Sequence, residues 1–163
     1  MTTKTDFSEE EWSQMLMAPA LVGMAVIASD LHMTSMFGET KAMLDAIQKL
    51  PVQEAGEDLV LAIRTDLLAS TKTEKKLPGS DEMAPDKSGD AWKQLLEKLG
   101  SVTELLDNKV QGEEAVALKE WLCSIGQMVA EAGKEGGFLG IGAVRVSDKE
   151  KVALSQIRQT LGL

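Results

Sequence analysis

The chain of 163 residues carries 17 Lys and Arg against 26 Asp and Glu, with 44% hydrophobic residues, one Cys and one His. Its formal charge of −9 repels phosphate backbones, and no Lys/Arg cluster is large enough to build the basic stripe that non-specific nucleic-acid binding requires. The single cysteine excludes an intramolecular disulfide, a zinc ribbon and CxxC redox chemistry. We expect one hydrophobic core, no nucleic-acid partner and, by default, a cytoplasmic location.

The first predicted helix has a clear start. Ser8 is placed as its N-cap, Glu11 three residues later completes a capping box, and Phe7 and Trp12 form a hydrophobic staple. Proline removes a helix hydrogen bond and disfavours helix at the preceding residue, so we expect a kink or a break at Pro19.

Residues 12–29 form an uncharged stretch just long enough to raise the question of a membrane span. The stretch is diluted by polar residues, proline and glycine, and acidic residues flank it where an anchor or signal peptide carries Lys or Arg. We therefore expect a buried core helix and no membrane span.

The remaining helices follow from apolar residues at helical spacing. We predict a loop over residues 30–38 and then helices over residues 39–50, about 53–70, 90–110 and about 113–132, and a last one opened by a second capping box of Ser147 and Glu150. In the fourth helix the apolar residues keep the same helical spacing before and after Gly100. This spacing favours one continuous helix. Core-facing residues predicted in the last four helices include Leu68, Trp92, Val116 and Val152.

Residues 71–89 are rich in Lys, Ser, Thr, Gly and Pro and are typical of a flexible linker. The fold class predicted is therefore all-α, a single-domain bundle of six or seven helices over residues 1–163. It contains an N-terminal helical half (1–70), the linker (71–89) and a C-terminal helical half (90–163).

The two halves echo each other, which leaves open an internal duplication. The segment around Gly23 matches the segment around Gly126, and Met43 matches Leu154 in the helix that follows each one. Unrelated amphipathic helices also produce such matches by chance, so both explanations stand.

The repeated unit, over residues 22–50 and again 125–161, resembles the helical tellurite-resistance TerB-like group. That resemblance implies an all-α fold and a stress-linked role in ion binding or as an adaptor, with acidic residues that bind divalent ions. The acidic Asp-Gly step expected in the first loop reads Asp30-Leu31-His32 in this chain.

Acidic residues at the predicted loop ends are the candidate metal ligands, because divalent cations such as calcium need several converging oxygens. These candidates are Asp30, Glu39, Glu131, Asp148 and Glu150, with Glu135 in the second loop. The alternative is that they cap helices, complement helix dipoles or are solvated, and no twelve-residue calcium loop is present. We predict no resident cofactor, with a divalent cation as the alternative.

A glycine-rich segment, residues 133–146, lacks the strand and the Gly-Lys-Ser/Thr signature of a phosphate loop. Its apolar residues Phe138, Leu139 and Ile141 either pack on the core or form a contact surface for a partner or a second subunit. Cys123 has no basic neighbour in the sequence and is predicted to be a small core residue.

No nucleophile, base and orienting group occur together, and His32 stands alone in a loop, so we expect no enzymatic activity. Two functions remain. The first is a non-enzymatic protein that acts by binding an unknown protein partner or by self-association as a homo-oligomer. The second is a divalent-metal-binding domain that uses the acidic loop ends.

Overall fold

A computed structural model describes residues 1–30, 36–74, 90–132 and 146–163 of the chain, without the side chains of residues 36–40 and 72–74. Within these ranges it contains six α-helices and two short 3-10 turns and no strand, which confirms the predicted all-α bundle. The helices are α1 (Glu9–Ser29), α2 (Met36–Lys49), α3 (Glu57–Glu74), α4 (Ala91–Lys109), α5 (Gly112–Ala132) and α6 (Asp148–Thr160). The 3-10 turns are Lys4–Asp6 and Glu54–Gly56.

Both predicted capping boxes are present. Ser8 Oγ accepts from Glu11 N at 3.2 Å, and Glu11 Oε2 accepts from Ser8 N at 2.8 Å. Ser147 and Glu150 repeat the arrangement at the start of α6, at 3.2 and 2.6 Å. Each box satisfies backbone N–H groups that a helix start leaves without an intrahelical partner, so the local sequence fixes where these two helices begin.

Of the kink or break predicted at Pro19, the break is wrong, because α1 runs unbroken from Glu9 to Ser29. A proline inside a helix costs about 3 kcal/mol. Met15, Leu21 and Val22, which flank it, are at most 1% exposed. Burial of such side chains contributes about 1.5–3 kcal/mol each, which outweighs the local cost of the proline.

The central position of α1 explains its long uncharged stretch. It contacts all five other helices, and α4 contributes the largest interface with it. In the described part of the chain, α1 is also the one helix long and apolar enough to span a membrane. Of its most apolar 18-residue stretch, 67% is buried inside the bundle. A helix packed on most of its sides has no need of a polar face.

The matched glycines of the two halves occupy equivalent places. A Cβ atom added at Gly23 would lie 2.6 Å from Met43 Cγ, and one added at Gly126 would lie 3.3 Å from Leu154 Cδ2. These are the pairs that the sequence comparison aligned, so the contacts agree with a duplication. The halves also interlock, because α2 packs on α5 and α6 packs on α1.

Several predicted boundaries and core positions are wrong. α2 begins at Met36 inside the predicted loop, α3 begins at Glu57 after a 3-10 turn, and α3 extends to Glu74 into the predicted linker. Three predicted core side chains are exposed, namely Leu68 by 39%, Val116 by 46% and Val152 by 57%. In α3, α5 and α6 the buried stripe is therefore narrower than the apolar residues indicate. The predictions for residues 75–89 lie outside the described residues.

Candidate functional site

The acidic candidates occupy different local settings. Glu150 is 5% exposed and accepts from the backbone of Ser147, as the capping alternative requires. Glu131 is exposed on α5 and accepts from Gln127 Nε2 at 2.8 Å. Glu39 lies in α2, with its side chain outside the description. Among the described side chains, no hydrogen bond or ion pair joins Glu131 to Glu150.

Asp30 and Asp148, in contrast, lie at one end of the bundle. Asp30 follows the last residue of α1, and its Oδ1 is 3.4 Å from Lys149 Nζ at the start of α6. Asp148, the residue before Lys149, is 98% exposed and pairs with Lys151 at 3.1 Å. In the ranges described, no three His, Cys, Asp or Glu side chains converge as a metal site would require. The predicted metal site stays a prediction, as Glu39 and Glu135 are not described there.

The predicted partner-binding residues Phe138, Leu139 and Ile141 lie outside the described residues, as does His32. The ends of their segment are described: α5 stops at Ala132, and the half-buried Val146 leads into α6. Val146 and the first turn of α6 lie at the end of the bundle that carries Asp30 and Asp148.

A cleft of about 480 Å³ lies at this end of the bundle, between the last turn of α1 and the first turns of α4 and α6. Its described walls are both apolar and charged, and we call it the end cleft. They comprise Ala28, Ser29, Asp90, Trp92, Asp148, Lys149, Val152 and Ala153. The size is within the range of sites that hold a side chain or a small ligand.

Trp92 is the aromatic side chain in the described lining of the end cleft. It is half-buried in the first turn of α4, where Asp90 Oδ1 caps the helix by accepting from the Trp92 backbone N–H at 3.1 Å. The indole Nε1 donates to Gln156 Oε1 of α6 at 3.1 Å. The first bond caps α4, and the second ties the indole ring to α6, beside the exposed Val152.

The charges around the end cleft are mostly negative. Asp90 is exposed, as is Asp148, whereas the ammonium of Lys149, 71% exposed, lies toward Asp30. Carboxylates that remain in water keep most of their hydration while still attracting cations. The cleft therefore combines an aromatic wall, an aliphatic wall and an acidic rim.

A second cleft, of about 640 Å³, lies between the Glu54–Gly56 turn and the start of α5. Its described lining is Gln53, Glu54, Ala55, Gly112, Glu113 and Val116. It has no aromatic wall among those residues, so it offers fewer apolar contacts than the end cleft does.

The prediction that Cys123 has no basic neighbour is wrong, because Arg158 of α6 interacts with its thiol. Burial nevertheless raises the pKa of Cys123, an effect larger than the opposing influence of Arg158. The guanidinium is itself held by Glu120 through two hydrogen bonds of 2.8 and 3.1 Å, which lower the pKa of Glu120. A thiol with a raised pKa is less often in the nucleophilic thiolate form.

Sequence reasoning missed Trp92, which it assigned to the core stripe of α4. One signal could have found it. Trp92 is the second residue of a helix that follows a polar linker, and a side chain in a first turn has no preceding helical turn to cover it. Val152, the fifth residue of α6, was also assigned to a core stripe and is exposed.

Comparison of the chain with protein-family models, with curated proteins and with solved structures finds no match to any of them. The TerB-like resemblance therefore stays a prediction that rests on residues 22–50 and 125–161.

Proposed function

We propose that the protein is a non-enzymatic helical binding protein that acts through protein–protein contact at the end cleft. The observation that carries this proposal is the combination of a fixed tryptophan, an exposed valine and an acidic rim in one cleft. Aromatic side chains that are already fixed lose little entropy on binding, which is why they are enriched at interaction sites.

Residues 133–145, the contact segment predicted from the sequence, precede Val146 and α6 in the chain. The contact of Phe138, Leu139 and Ile141 with a partner stays a separate prediction, because these residues lie outside the described part of the chain.

Site-specific photo-crosslinking tests this proposal. A photoreactive residue at Val152 is compared with one at Leu61 of α3, because the two side chains are 57% and 58% exposed. We expect a discrete adduct at Val152, lost in the Trp92→Ala variant, and none at Leu61. An adduct at twice the chain mass of 17.6 kDa would identify the partner as a second copy. Equal adducts at both positions would contradict the proposal.

Divalent-ion binding remains the second hypothesis, since Asp30 and Asp148 both lie at this end of the bundle. Ligand binding to the native state must raise the melting temperature. If calcium, magnesium, manganese and zinc at millimolar concentration all leave the melting temperature unchanged, this hypothesis is to be dropped.

A further inference from the structure

We propose that the occupant of the end cleft is a basic segment of a partner protein, with an Arg or Lys side chain lying along Trp92. This inference rests on the proposed function and adds the chemistry of the partner. The charge of the rim, the nature of the walls and the size of the cleft support it.

The rim selects for positive charge. Asp90 and Asp148 line the cleft, and Asp30 lies beside it. The one cation of the described lining, Lys149, is engaged by Asp30, and Asp148 pairs with Lys151 at 3.1 Å. Three carboxylates therefore face two ammonium groups here, and the local balance of charge is negative. The chain as a whole carries a formal charge of −9, so its long-range field also attracts cationic partners and repels acidic ones. Such steering makes encounter with a basic segment faster and weakens as salt is added.

The walls select for a cation that carries an aliphatic stem. Trp92 offers a π-system, the best aromatic surface for an ammonium or guanidinium group. Ala28, Val152 and Ala153 offer aliphatic surface on which the methylene groups of Arg or Lys can lie. An inorganic cation would use the carboxylates alone and would leave this apolar surface without a function.

A pentapeptide provides the direct test. The probe is dye-labelled Arg-Leu-Lys-Leu-Arg amide, compared with Glu-Leu-Asp-Leu-Glu amide, and binding to the full chain is followed by fluorescence anisotropy. We expect saturable binding of the basic peptide and none of the acidic one. Absence of binding by the basic peptide, or equal binding of both, would overturn the inference.

Matched variants separate the cleft from the overall charge. The double variant Asp90→Asn with Asp148→Asn removes two rim charges, and Asn still caps α4, so the fold should be retained. We expect its Kd to rise about five- to tenfold, since exposed ion pairs contribute up to about fivefold each. The control Glu97→Gln with Glu104→Gln makes the same charge change on exposed residues of α4 that do not line the cleft. An equal rise of Kd in both double variants would overturn the inference.

Two further results decide the identity of the occupant. Trp92→Ala is expected to raise the Kd at least about fivefold, because the cation loses its aromatic surface. Free 1,5-diaminopentane is expected to compete only weakly, and competition as strong as that of the peptide would reassign the site to small amines and overturn the inference.

If the peptide fails to bind but the crosslink at Val152 forms, only the basic character of the partner is wrong. If the peptide binds but no crosslink forms, the proposed protein–protein function is what fails.

Discussion

The two ends of α1 are built differently. At its N-terminal end, Trp12 is 5% exposed, its ring lies 5.5 Å from that of Phe7, and its Nε1 donates to Asp66 Oδ2 at 2.8 Å. Lys109 at the end of α4 pairs with Glu11 at 3.0 Å. At the C-terminal end, the neighbouring tryptophan is half-buried, the valine beside it is exposed, and a cleft remains open.

This difference teaches where stability and binding reside in the bundle. At the N-terminal end of α1, the buried indole of Trp12 links α1 to α3 through Asp66, and Glu11 links α1 to α4 through Lys109. The end cleft has the same kinds of residue, a tryptophan and carboxylates, but leaves them accessible. Stability is therefore expected to depend on the first end and recognition on the second.

Replacing Trp12 should have the largest effect on stability. Trp12→Ala removes a buried aromatic side chain and is expected to lower the free energy of unfolding by about 3–5 kcal/mol. Trp92→Ala, at the half-buried position, should cost less than about half as much, because less apolar surface is lost. Urea unfolding followed by circular dichroism measures the free energy of unfolding of both variants. Equal losses in the two variants would contradict the expected difference between the two ends of α1.

Gly23 tests how the C-terminal half of α1 contributes to stability, because there α1 packs closely against Met43 of α2. Gly23→Ala places a Cβ 2.6 Å from Met43 Cγ and is expected to destabilise by about 1–3 kcal/mol. In a Met43→Ala background the same change should stabilise by up to about 1 kcal/mol, as alanine favours helix.

Gly100→Ala is the matched control for that experiment. Its Cβ would meet only Thr160 Cγ2, at 3.9 Å, so the substitution should stabilise α4 by up to about 1 kcal/mol. Destabilisation at Gly100 as large as that at Gly23 would show that loss of glycine, and not contact with Met43, is the cause.

Asp66 links Lys4 to Trp12, so its charge should matter in acid. The hydrogen bond from Lys4, at 2.6 Å, lowers the pKa of Asp66 below its ordinary value of 3.8, and the bond from Trp12 adds to this effect. A carboxyl whose pKa is lower in the folded state stabilises the fold above pH 3.8. That contribution is lost as the pH falls through the folded-state pKa.

Two substitutions separate the charge from the hydrogen bond. Asp66→Ala leaves the buried Trp12 Nε1 without an acceptor and should cost about 1–2 kcal/mol. Asp66→Asn keeps an acceptor oxygen and should cost less, while weakening the dependence of stability on pH below 3.8. Unfolding curves at pH 7 and pH 3 measure this, and an unchanged pH dependence in Asp66→Asn would assign the acid effect to other carboxylates.

Val152→Ser should have the smallest effect on stability. The side chain is 57% exposed, so the change should alter the free energy of unfolding by less than about 0.5 kcal/mol. A loss above about 2 kcal/mol would mean that Val152 is covered in solution.

The sequence predicted the elements that depend on local chemistry. Ser8 with Glu11, Ser147 with Glu150, and the continuous α4 stripe through Gly100 are settled by residues a few positions apart. Pro19 was predicted wrongly because the burial that overrides its cost comes from distant helices.

The end cleft could be predicted only in part for the same reason. Asp30 and Asp148 were named from the sequence, yet it contains no rule that brings α1, α4 and α6 together at one end. The apolar spacing of α4 predicted that Trp92 faces the core, just as it predicted this for Leu95 and Leu99, which are fully buried. Which of these side chains is left uncovered is decided by the tertiary packing.

The three tryptophan indole N–H signals in a nitrogen–proton NMR spectrum test the central claim most directly. Trp12 and Trp121 are 5% and 2% exposed, whereas Trp92 lines the end cleft. Adding the basic pentapeptide is expected to shift the Trp92 signal, identified by its absence in Trp92→Phe, and to leave the other two in place. A Trp92 signal that stays unchanged while the peptide binds would contradict the account.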